Sequence, residues 1–293
     1  MDWLERVAEL RQWTRQGVRA PHKPLLLLYA LGRFRQDAGE GLKYSVVEGE
    51  LKSLLAEYGP THPTTPAYPF HHLVSDGVWE VRSDLGDGSP GSRVGQLRES
   101  GATGRLVPEL QSDLRRRPEL LWQLTQLLLE RHFPPSLHAE LCEAVGLEPE
   151  PYPLLARYSL AGRRQRDPRM RELVLAAYDH QCAFCGFDGR LGSRPVGLEA
   201  AHVRWWAFDG PDTVDNGLCL CALHHKLFDK GVLGLTPAHR ITISPHFTGA
   251  SPAAHTHVTA LTDRPLRGLR PDENPILTAH REWHTREVFR GAA

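Results

Sequence analysis

The first half of the chain carries its apolar side chains mainly with the period of an α-helix. An apolar face that recurs every three to four residues behind Asp2 predicts a first helix over 2–16. A continuous apolar run that follows Pro24 predicts a second, buried helix over 23–37. Further helices are predicted at 48–58, 118–131 and 135–145.

Strand patterns in the first half are short and are separated by turn-forming residues. Residues 43–47 favour a strand, and the apolar segments on either side of an Asp-Gly turn favour a β-hairpin with strands at 70–74 and 78–81. Two segments rich in Pro, Thr, Gly or Ser predict loops, at 60–69 and 83–105. Residues 1–150 are therefore expected to form an α+β domain, rich in helices and with small strands.

The proline-rich segment 148–153 predicts a stiff linker, after which the pattern changes. A helix over 168–178 leads to a strand over 195–203 and a short helix over 223–229. The remaining elements are predicted as strands at 232–235 and 240–244, a loop at 245–275 and a last helix at 276–289. This second pattern is expected to form a separate domain, 151–293.

Composition is typical of a globular protein from a reducing compartment. Hydrophobic residues make up 41% of the chain, and no apolar run reaches the roughly eighteen residues of a membrane span. The first residues lack a signal-peptide pattern, which favours a cytoplasmic location. Of the five cysteines, Cys142 stands alone and the other four lie between Cys182 and Cys221. This crowding favours metal binding over a disulfide framework.

The net charge of zero conceals an asymmetry between the two halves. Residues 1–150 carry a net charge of −4, whereas residues 151–293 carry +4. The second half is therefore better suited to contact a nucleic-acid backbone. The basic run 157–169 is predicted to touch phosphates, with a solvated helix start as the alternative.

A Cys-x-x-Cys pair at Cys182 and Cys185 predicts half of a structural zinc site, since two thiolates at this spacing can share one tetrahedral ion. A redox pair is the alternative, but no thioredoxin-like context surrounds it. Only Cys221 and His224 repeat the x-x spacing among the residues eligible for the second half: Cys219, Cys221, His224 and His225. The predicted closed zinc site is therefore Cys182, Cys185, Cys221 and His224, with Cys219 in the core.

Four more polar residues in this stretch suit phosphodiester hydrolysis: His202, Asn216, His225 and Asp229. The reaction requires an activated water and a cation that stabilises the charge on the phosphorane and the leaving oxygen. A neutral His202 can act as the base. His225 and Asp229 lie four residues apart on a predicted helix and share one face, a suitable spacing for two ligands of one ion.

This stretch resembles the HNH endonuclease family in the type, order and spacing of His202, Asn216 and His225 within the zinc frame. The resemblance covers about 155–290 and implies a zinc-stapled ββα-metal nuclease domain. In that domain, His202 would be the general base and Asn216 would orient the catalytic loop. His225 would bind a divalent ion such as Mg²⁺, Mn²⁺ or a softer transition metal.

One position departs from the family pattern. Many members carry Asp or His just before the base histidine as a second metal ligand, whereas this chain has Ala201. Glu199 or Asp229 can take over that role, and the sequence does not choose between them.

Two short motifs, Arg19 to Leu28 and Tyr68-Pro69-Phe70, resemble the sulfur-binding domain of McrA-type enzymes, with a likeness over roughly 1–150. Those enzymes are modification-dependent (type IV) restriction endonucleases that recognise phosphorothioated DNA, in which sulfur replaces a non-bridging oxygen. Sulfur is more weakly hydrated than oxygen, so an apolar cup costs it less desolvation. Tyr68 and Pro69 would form that cup, with His72 as a further candidate.

The same resemblance implies contacts around the modified phosphate. His22 and Lys23 would hold the phosphate itself, near the start of a helix. Arg93, in the loop after the hairpin, would reach a neighbouring base or phosphate.

Together, the resemblances imply a metal-dependent DNA endonuclease whose residues 1–150 select phosphorothioated duplex DNA and whose residues 151–293 cut nearby. The implied cofactors are a structural zinc ion and a catalytic divalent cation. The implied partner is double-stranded DNA, with no membrane; a homodimer is expected if both strands are cut. Two alternatives stay open: a methylated or hydroxymethylated base held by Tyr68 and Phe70, or a DNA-binding protein without activity, which Ala201 favours.

Overall fold

The computed structural model describes residues 2–10, 21–37, 40–59, 61, 64–147 and 167–291. The chain divides into two compact units, Met1–Tyr158 and Ser159–Ala293. The predicted linker 148–153 and most of the basic run 157–169 lie outside the described residues. No helix in the described ranges combines the length and the apolar character needed to cross a membrane.

The N-terminal unit combines helices with one small sheet. Its helices are α1 (Trp3–Ala8), α2 (His22–Asp37), α3 (Tyr44–Tyr58), α4 (Ala67–His72), α5 (Val94–Glu99), α6 (Pro108–Arg116), α7 (Pro118–His132) and α8 (Pro135–Ala144). Its strands are β1 (Leu42–Lys43), β2 (Trp79–Ser83), β3 (Gly86–Asp87) and β4 (Thr103–Leu106). They pair antiparallel in the order β1-β4-β2-β3, which confirms the predicted α+β class.

Helix α2 lies at the centre of this unit's core. Its leucines from Leu25 to Leu28 are at most 1% exposed, which confirms the buried helix predicted from the unbroken apolar run. The helix contacts α3, α4 and α7, so apolar side chains all round it are covered.

Trp79 on β2 fixes α4 against the sheet. Its indole Nε1 donates to the main-chain oxygen of Phe70 at 3.1 Å, and the two rings meet edge to face with centroids 5.4 Å apart. Gly104 on β4 leaves space for this contact, since a Cβ there would lie 2.1 Å from the Trp79 ring. The contact sets the orientation of α4, which carries Tyr68 and Pro69.

The hairpin predicted at 70–74 and 78–81 is wrong. Residues 70–74 belong to α4 and to the 3₁₀ turn Leu73–Asp76, and β2 pairs with β4 instead. Phe70 and Leu73 are fully buried and three residues apart, a spacing that suits one helix face as well as it suits a short apolar strand.

The loops predicted at 60–69 and 83–105 are also wrong in part. Helix α4 begins at Ala67, and the second segment contains β3, α5 and the start of β4. Its few apolar anchors, Leu97 and Ala102, are fully buried, but they are too sparse in a glycine-rich sequence to show a period. Tertiary packing, not local pattern, forms these elements.

The C-terminal unit is built from short strands and helices. Its helices are α9 (Met170–Ala177), α10 (Ala222–Asp229), α11 (Pro252–His257) and α12 (Thr278–Glu287). Its strands are β5 (Arg190–Leu191), β6 (Arg194–Pro195), β7 (Leu198–His202), β8 (Gly217–Cys221), β9 (Leu233–Leu235) and β10 (Ile241–Ile243). The predicted strands and helices are present within a few residues, but the segment 245–275, predicted as loop, contains α11.

Strands β7 and β8 and helix α10 form a ββα element. The two strands are antiparallel, with His202 opposite Gly217 and Leu198 opposite Cys221. Helix α9 covers the pair; a Cβ at Gly217 would lie 2.4 Å from a Val174 methyl group, so only glycine allows this approach. The end of β8 leads directly into α10, and the start of β7 lies beside that junction, while His202 lies at the other end of the strand pair.

Candidate functional site

Four potential metal ligands meet beside the ββα element: Cys182, Cys185, Cys221 and His224. Their ligand atoms all lie within 4.8 Å of one another. Nδ1 of His224 is 3.4 Å from Sγ of Cys182 and 3.1 Å from Sγ of Cys221. Neighbouring ligands of a tetrahedral zinc ion are separated by roughly 3.5 Å, so the cluster fits zinc.

The surrounding structure prepares this cluster for a metal. His224 Nε2 donates to the main-chain oxygen of His257 at 2.8 Å, which leaves Nδ1 towards the sulfurs. Hydrogen bonds with Cys185 and then Cys221 hold the pKa of Cys182 well below its usual range, while bonding to Cys182 raises the pKa of Cys185. Cysteines that lie this close share their protons. This is typical of a site where a metal ion displaces the protons and is bound by the thiolates.

His202, at the end of β7, is held by a carboxylate. Its Nε2 lies 2.8 Å from Oδ1 of Asp212, and the two side chains are 16% and 10% exposed. Because a carboxylate only accepts hydrogen bonds, the shared proton belongs to Nε2. When the ring is neutral, its lone pair is then on Nδ1, as a general base requires.

Asn216 is fully buried and ties together the loop between β7 and β8. Its Oδ1 accepts from the Arg204 main-chain N–H at 2.8 Å, and its Nδ2 donates to the main-chain oxygens of Arg204 and Pro211 at 3.0 and 2.9 Å. Gly210 allows the loop to close, since a Cβ there would lie 1.8 Å from the Arg204 oxygen. This geometry supports the expected role of Asn216 in orienting the loop.

His225, on α10, lies between two carboxylates. Its Nδ1 is 2.6 Å from Oε2 of Glu199, and its Nε2 is 3.1 Å from Oδ2 of Asp229. Burial by itself lowers the pKa of His225, but Asp229 and Glu199 outweigh burial and raise that pKa to about 10. A cation that binds His225 therefore replaces a proton.

The two carboxylates differ in what they can offer a divalent ion. They lie at opposite ring nitrogens of His225, so one ion cannot share that ring with both. The Asp229 side chain is 1% exposed, and its Oδ1 accepts from Trp205 Nε1 at 3.0 Å. The Glu199 side chain is 49% exposed. The Glu199–Nδ1 side of the ring therefore fits a solvent-accessible ion better, while Asp229 binding an ion stays a prediction.

Two aromatic side chains near this centre pack in the core. Trp205 is 1% exposed and lies beside Trp283, with ring centroids 5.8 Å apart. His284 stacks on Phe228 with centroids 3.7 Å apart. Through Trp283 and His284, α12 therefore packs against Trp205 and against Phe228 of α10.

In the N-terminal unit, an aromatic cluster forms where α2 and α4 meet. The Tyr68 ring lies 5.9 Å from the His22 ring and 4.4 Å from the His72 ring. Burial, then the neighbouring charges of His71 and Lys23, lower the pKa of His72, which favours its neutral form. Tyr68 is 39% exposed whereas Pro69 is buried, so Tyr68 presents the open face of the cluster.

The predicted phosphate-holding residues have different environments. His22 Nε2 lies 2.9 Å from the Thr64 hydroxyl. Lys23 is 7% exposed, and its Nζ is 2.5 Å from Oδ2 of Asp76, whose side chain is 2% exposed. The Lys23 charge is thus neutralised below the surface, and its contact with phosphate stays a prediction that requires the ammonium to exchange partners.

Arg93 is exposed at the start of α5. The loop before it is linked to α4, because Nδ1 of His71 lies 2.8 Å from the Ser89 hydroxyl, which in turn donates to the Gly91 oxygen. This link places the Arg93 loop beside the helix that carries Tyr68.

Sequence comparison identifies both units. The family model for the ScoMcrA-like DNA sulfur-binding domain matches residues 1–150, more than half of the chain. The chain belongs to this family. The family model for HNH endonuclease matches residues 182–236, which contain the zinc cluster, His202, Asn216 and His225. The protein thus joins a DNA sulfur-binding domain to a DNA endonuclease domain. No curated protein matches the chain.

Solved structures with the same sulfur-binding domain are similar over half of the chain. The sulfur-binding domain of ScoMcrA complexed with phosphorothioated DNA is 27% identical, with a TM-score of 0.43 over 50% of this chain and 96% of that one. The domain of SprMcrA, in a similar complex, is 25% identical, with a TM-score of 0.43 over 50% and 93%. The type IV phosphorothioation-dependent restriction endonuclease ScoMcrA is 21% identical, with a TM-score of 0.41; the match covers 68% of this chain and 35% of that one.

Sequence reasoning missed Asp212. It follows His202 by ten residues in a loop, where no periodicity relates the two. The one available signal was an acidic residue between the base histidine and Asn216. That segment holds three such residues, Asp209, Asp212 and Asp215, so the signal does not single out Asp212.

Proposed function

We propose that this protein is a type IV restriction endonuclease that binds phosphorothioated duplex DNA through its N-terminal unit and hydrolyses DNA with its C-terminal unit. The observation that carries the proposal is the occurrence, in one chain, of a sulfur-binding domain and an HNH centre whose base histidine is held by a carboxylate. Neither feature alone predicts modification-dependent cutting.

In the N-terminal unit, the exposed face of Tyr68 and the neutral His72 ring suit a sulfur atom. A phosphorothioate places its weakly hydrated sulfur against rings at a lower desolvation cost than an oxygen anion would incur. His22 lies at the same cluster and holds a phosphate oxygen. The methylated-base alternative needs two rings that sandwich a flipped base, but Phe70 is fully buried.

In the C-terminal unit, His202 acts as the general base and takes a proton from water at Nδ1. Glu199 and His225 would hold the divalent cation, which would supply positive charge to stabilise the negative charge on the phosphorane and the leaving oxygen. Because one ligand is an imidazole, Mn²⁺ or a softer metal suits the site better than Mg²⁺. Asp229, buried behind the ring, orients His225 through Nε2. Zinc in the cysteine cluster holds α10 against the strands.

One HNH centre usually cuts one strand, so double-strand cutting by this protein would point to a homodimer. Sedimentation of the protein on a modified duplex would show two chains per DNA if this is so. A cytoplasmic location, as for an enzyme that acts on intracellular DNA, belongs to the same proposal.

The test of the catalytic part is a cleavage assay on phosphorothioated plasmid across Mg²⁺, Mn²⁺, Co²⁺ and Ni²⁺. The His202→Ala variant is expected to lose at least about 100-fold in rate, the lower end of general-base contributions, while it binds modified DNA as the parent does. Cutting at the parent rate by this variant would reject His202 as the base. Absence of cutting by the parent with all four ions would reject the endonuclease proposal.

A further inference from the structure

Asp212 contacts the proposed base directly and is itself restrained at both oxygens. Its Oδ1 accepts from His202 Nε2 at 2.8 Å, and its Oδ2 accepts from the main-chain N–H of Asp167 at 2.9 Å. The carboxylate is 10% exposed. A group held in this way has one orientation, and it imposes that orientation on the ring of His202.

The loop that carries Asp212 is closed by Asn216. The Asn216 side chain makes two hydrogen bonds to the main chain of Arg204, at one end of the loop, and one to the main-chain oxygen of Pro211, the residue just before Asp212. The main-chain N–H of Val203, next to His202, donates to the main-chain oxygen of Asn216 at 2.9 Å. Asn216 thus fixes the loop position that carries Asp212 through its buried side-chain amide, and the strand end that carries His202 through its main-chain oxygen.

We infer that Asp212 is a positioning residue for the reaction: it keeps the proton of neutral His202 on Nε2 and aims Nδ1 at the attacking water. The inference rests on the proposed function. It gives Asn216 a physical route to the chemistry, because Asn216 places Asp212 and Asp212 places the base. As His202 takes a proton from water, the carboxylate also stabilises the imidazolium that forms.

The reaction test compares two substitutions of Asp212 with a matched control. Asp212→Ala removes the contact, and Asp212→Asn keeps an acceptor oxygen but removes the charge. Asp209→Asn makes the same charge change in the same loop, at an exposed residue whose positive φ of 63° is also tolerated by Asn. Zinc content and thermal unfolding of each purified variant show whether the fold is retained.

Asp212→Ala is expected to lower kcat about 10- to 100-fold with KM within about twofold, a part of the full general-base contribution. Asp212→Asn is expected to fall between this variant and the parent, and Asp209→Asn to match the parent. A folded Asp212→Ala variant that cuts within twofold of the parent rate would overturn the inference. So would a loss confined to KM.

The second test needs neither DNA nor activity. In ¹⁵N-histidine spectra of the zinc-loaded protein, the signals that disappear in His202→Ala belong to His202. The parent is expected to show His202 protonated at Nε2, with a proton that exchanges slowly with water, and Asp212→Ala is expected to lose that protection. A proton on Nδ1 in the parent, or unchanged exchange in the variant, would contradict the inference. Failure of the parent to cut DNA would refute the proposed function, whereas this spectrum tests the contact by itself.

Discussion

The two units of this protein hold their functional side chains by different means. In the C-terminal unit, polar bonds fix each group: Asp212 holds His202, and Asp229 holds His225. In the N-terminal unit, ring packing fixes Tyr68, and no hydrogen bond of the Tyr68 side chain is seen within the described residues. Hydrolysis needs one nitrogen aimed at one water, whereas sulfur binding needs a shaped apolar surface.

This difference has a physical origin. Hydrogen bonds are directional and fail when a partner moves by a fraction of an ångström, so they suit proton transfer. Ring contacts depend mainly on area and shape, so they suit a large, polarizable atom. We therefore expect single polar changes to disable the C-terminal unit sharply and ring changes to weaken the N-terminal unit gradually.

The largest effect is expected from zinc removal, which should unfold the C-terminal unit alone. Structural zinc contributes about 10–16 kcal/mol in small zinc-binding domains, as much as the stability of a typical domain. Calorimetry of the full chain with a chelator should lose one unfolding transition and keep the other.

Cys221→Ala should have the same effect, whereas Cys142→Ala, a buried thiol of the N-terminal unit, should keep the zinc. Loss of both transitions together would show that folding of the N-terminal unit also depends on zinc, which would contradict this prediction.

The next effect concerns the one buried ion pair that the described residues of the N-terminal unit show, Lys23–Asp76. Asp76→Ala leaves the Lys23 ammonium buried and unpaired, so it is expected to lower the free energy of unfolding by about 3–5 kcal/mol. The matched control is Asp87→Ala, which breaks the exposed pair with Arg82 and should cost about 1 kcal/mol or less. Urea denaturation measures both, and equal losses would show that the buried Lys23–Asp76 pair stabilises the unit no more than an exposed pair does.

A smaller effect is expected at the sulfur site. Tyr68→Ala should weaken binding of a phosphorothioated duplex about 10-fold, near 1.4 kcal/mol, because a ring contact is lost. Tyr68→Phe, which keeps the ring, should bind like the parent. Val46→Ala serves as the control for an exposed apolar side chain elsewhere in the unit, since Val46 is 72% exposed. A Tyr68→Ala variant with parent affinity would remove Tyr68 from the site.

The sequence predicted some parts of the fold and of the site, and missed others for physical reasons. The cysteine spacing predicted the cluster at Cys182 and His224 because ligand geometry restricts the spacing along the chain. The helix at α2 was predictable because an unbroken apolar run has no alternative to burial. In contrast, α4 was misread as a strand, since Phe70 and Leu73 fit either period.

The remaining gaps arise from contacts between distant positions. Trp79 and Gly104, on neighbouring strands, meet Phe70 of α4, and this contact between distant positions sets the orientation of the helix on the sheet. Asp212 meets His202 through a loop closed by Asn216, and the pairing of Lys23 with Asp76 joins positions 53 residues apart. Local patterns carry no information on such pairs.

The central claim is that one domain selects sulfur and the other cuts. The most direct measurement uses two duplexes that differ in one atom, a phosphorothioate sulfur against its oxygen twin, with the full chain and Mn²⁺. We predict that the parent binds and cuts the sulfur duplex, while His202→Ala binds it with the same preference but leaves it intact. Equal binding and cutting of both duplexes by the parent would contradict the account.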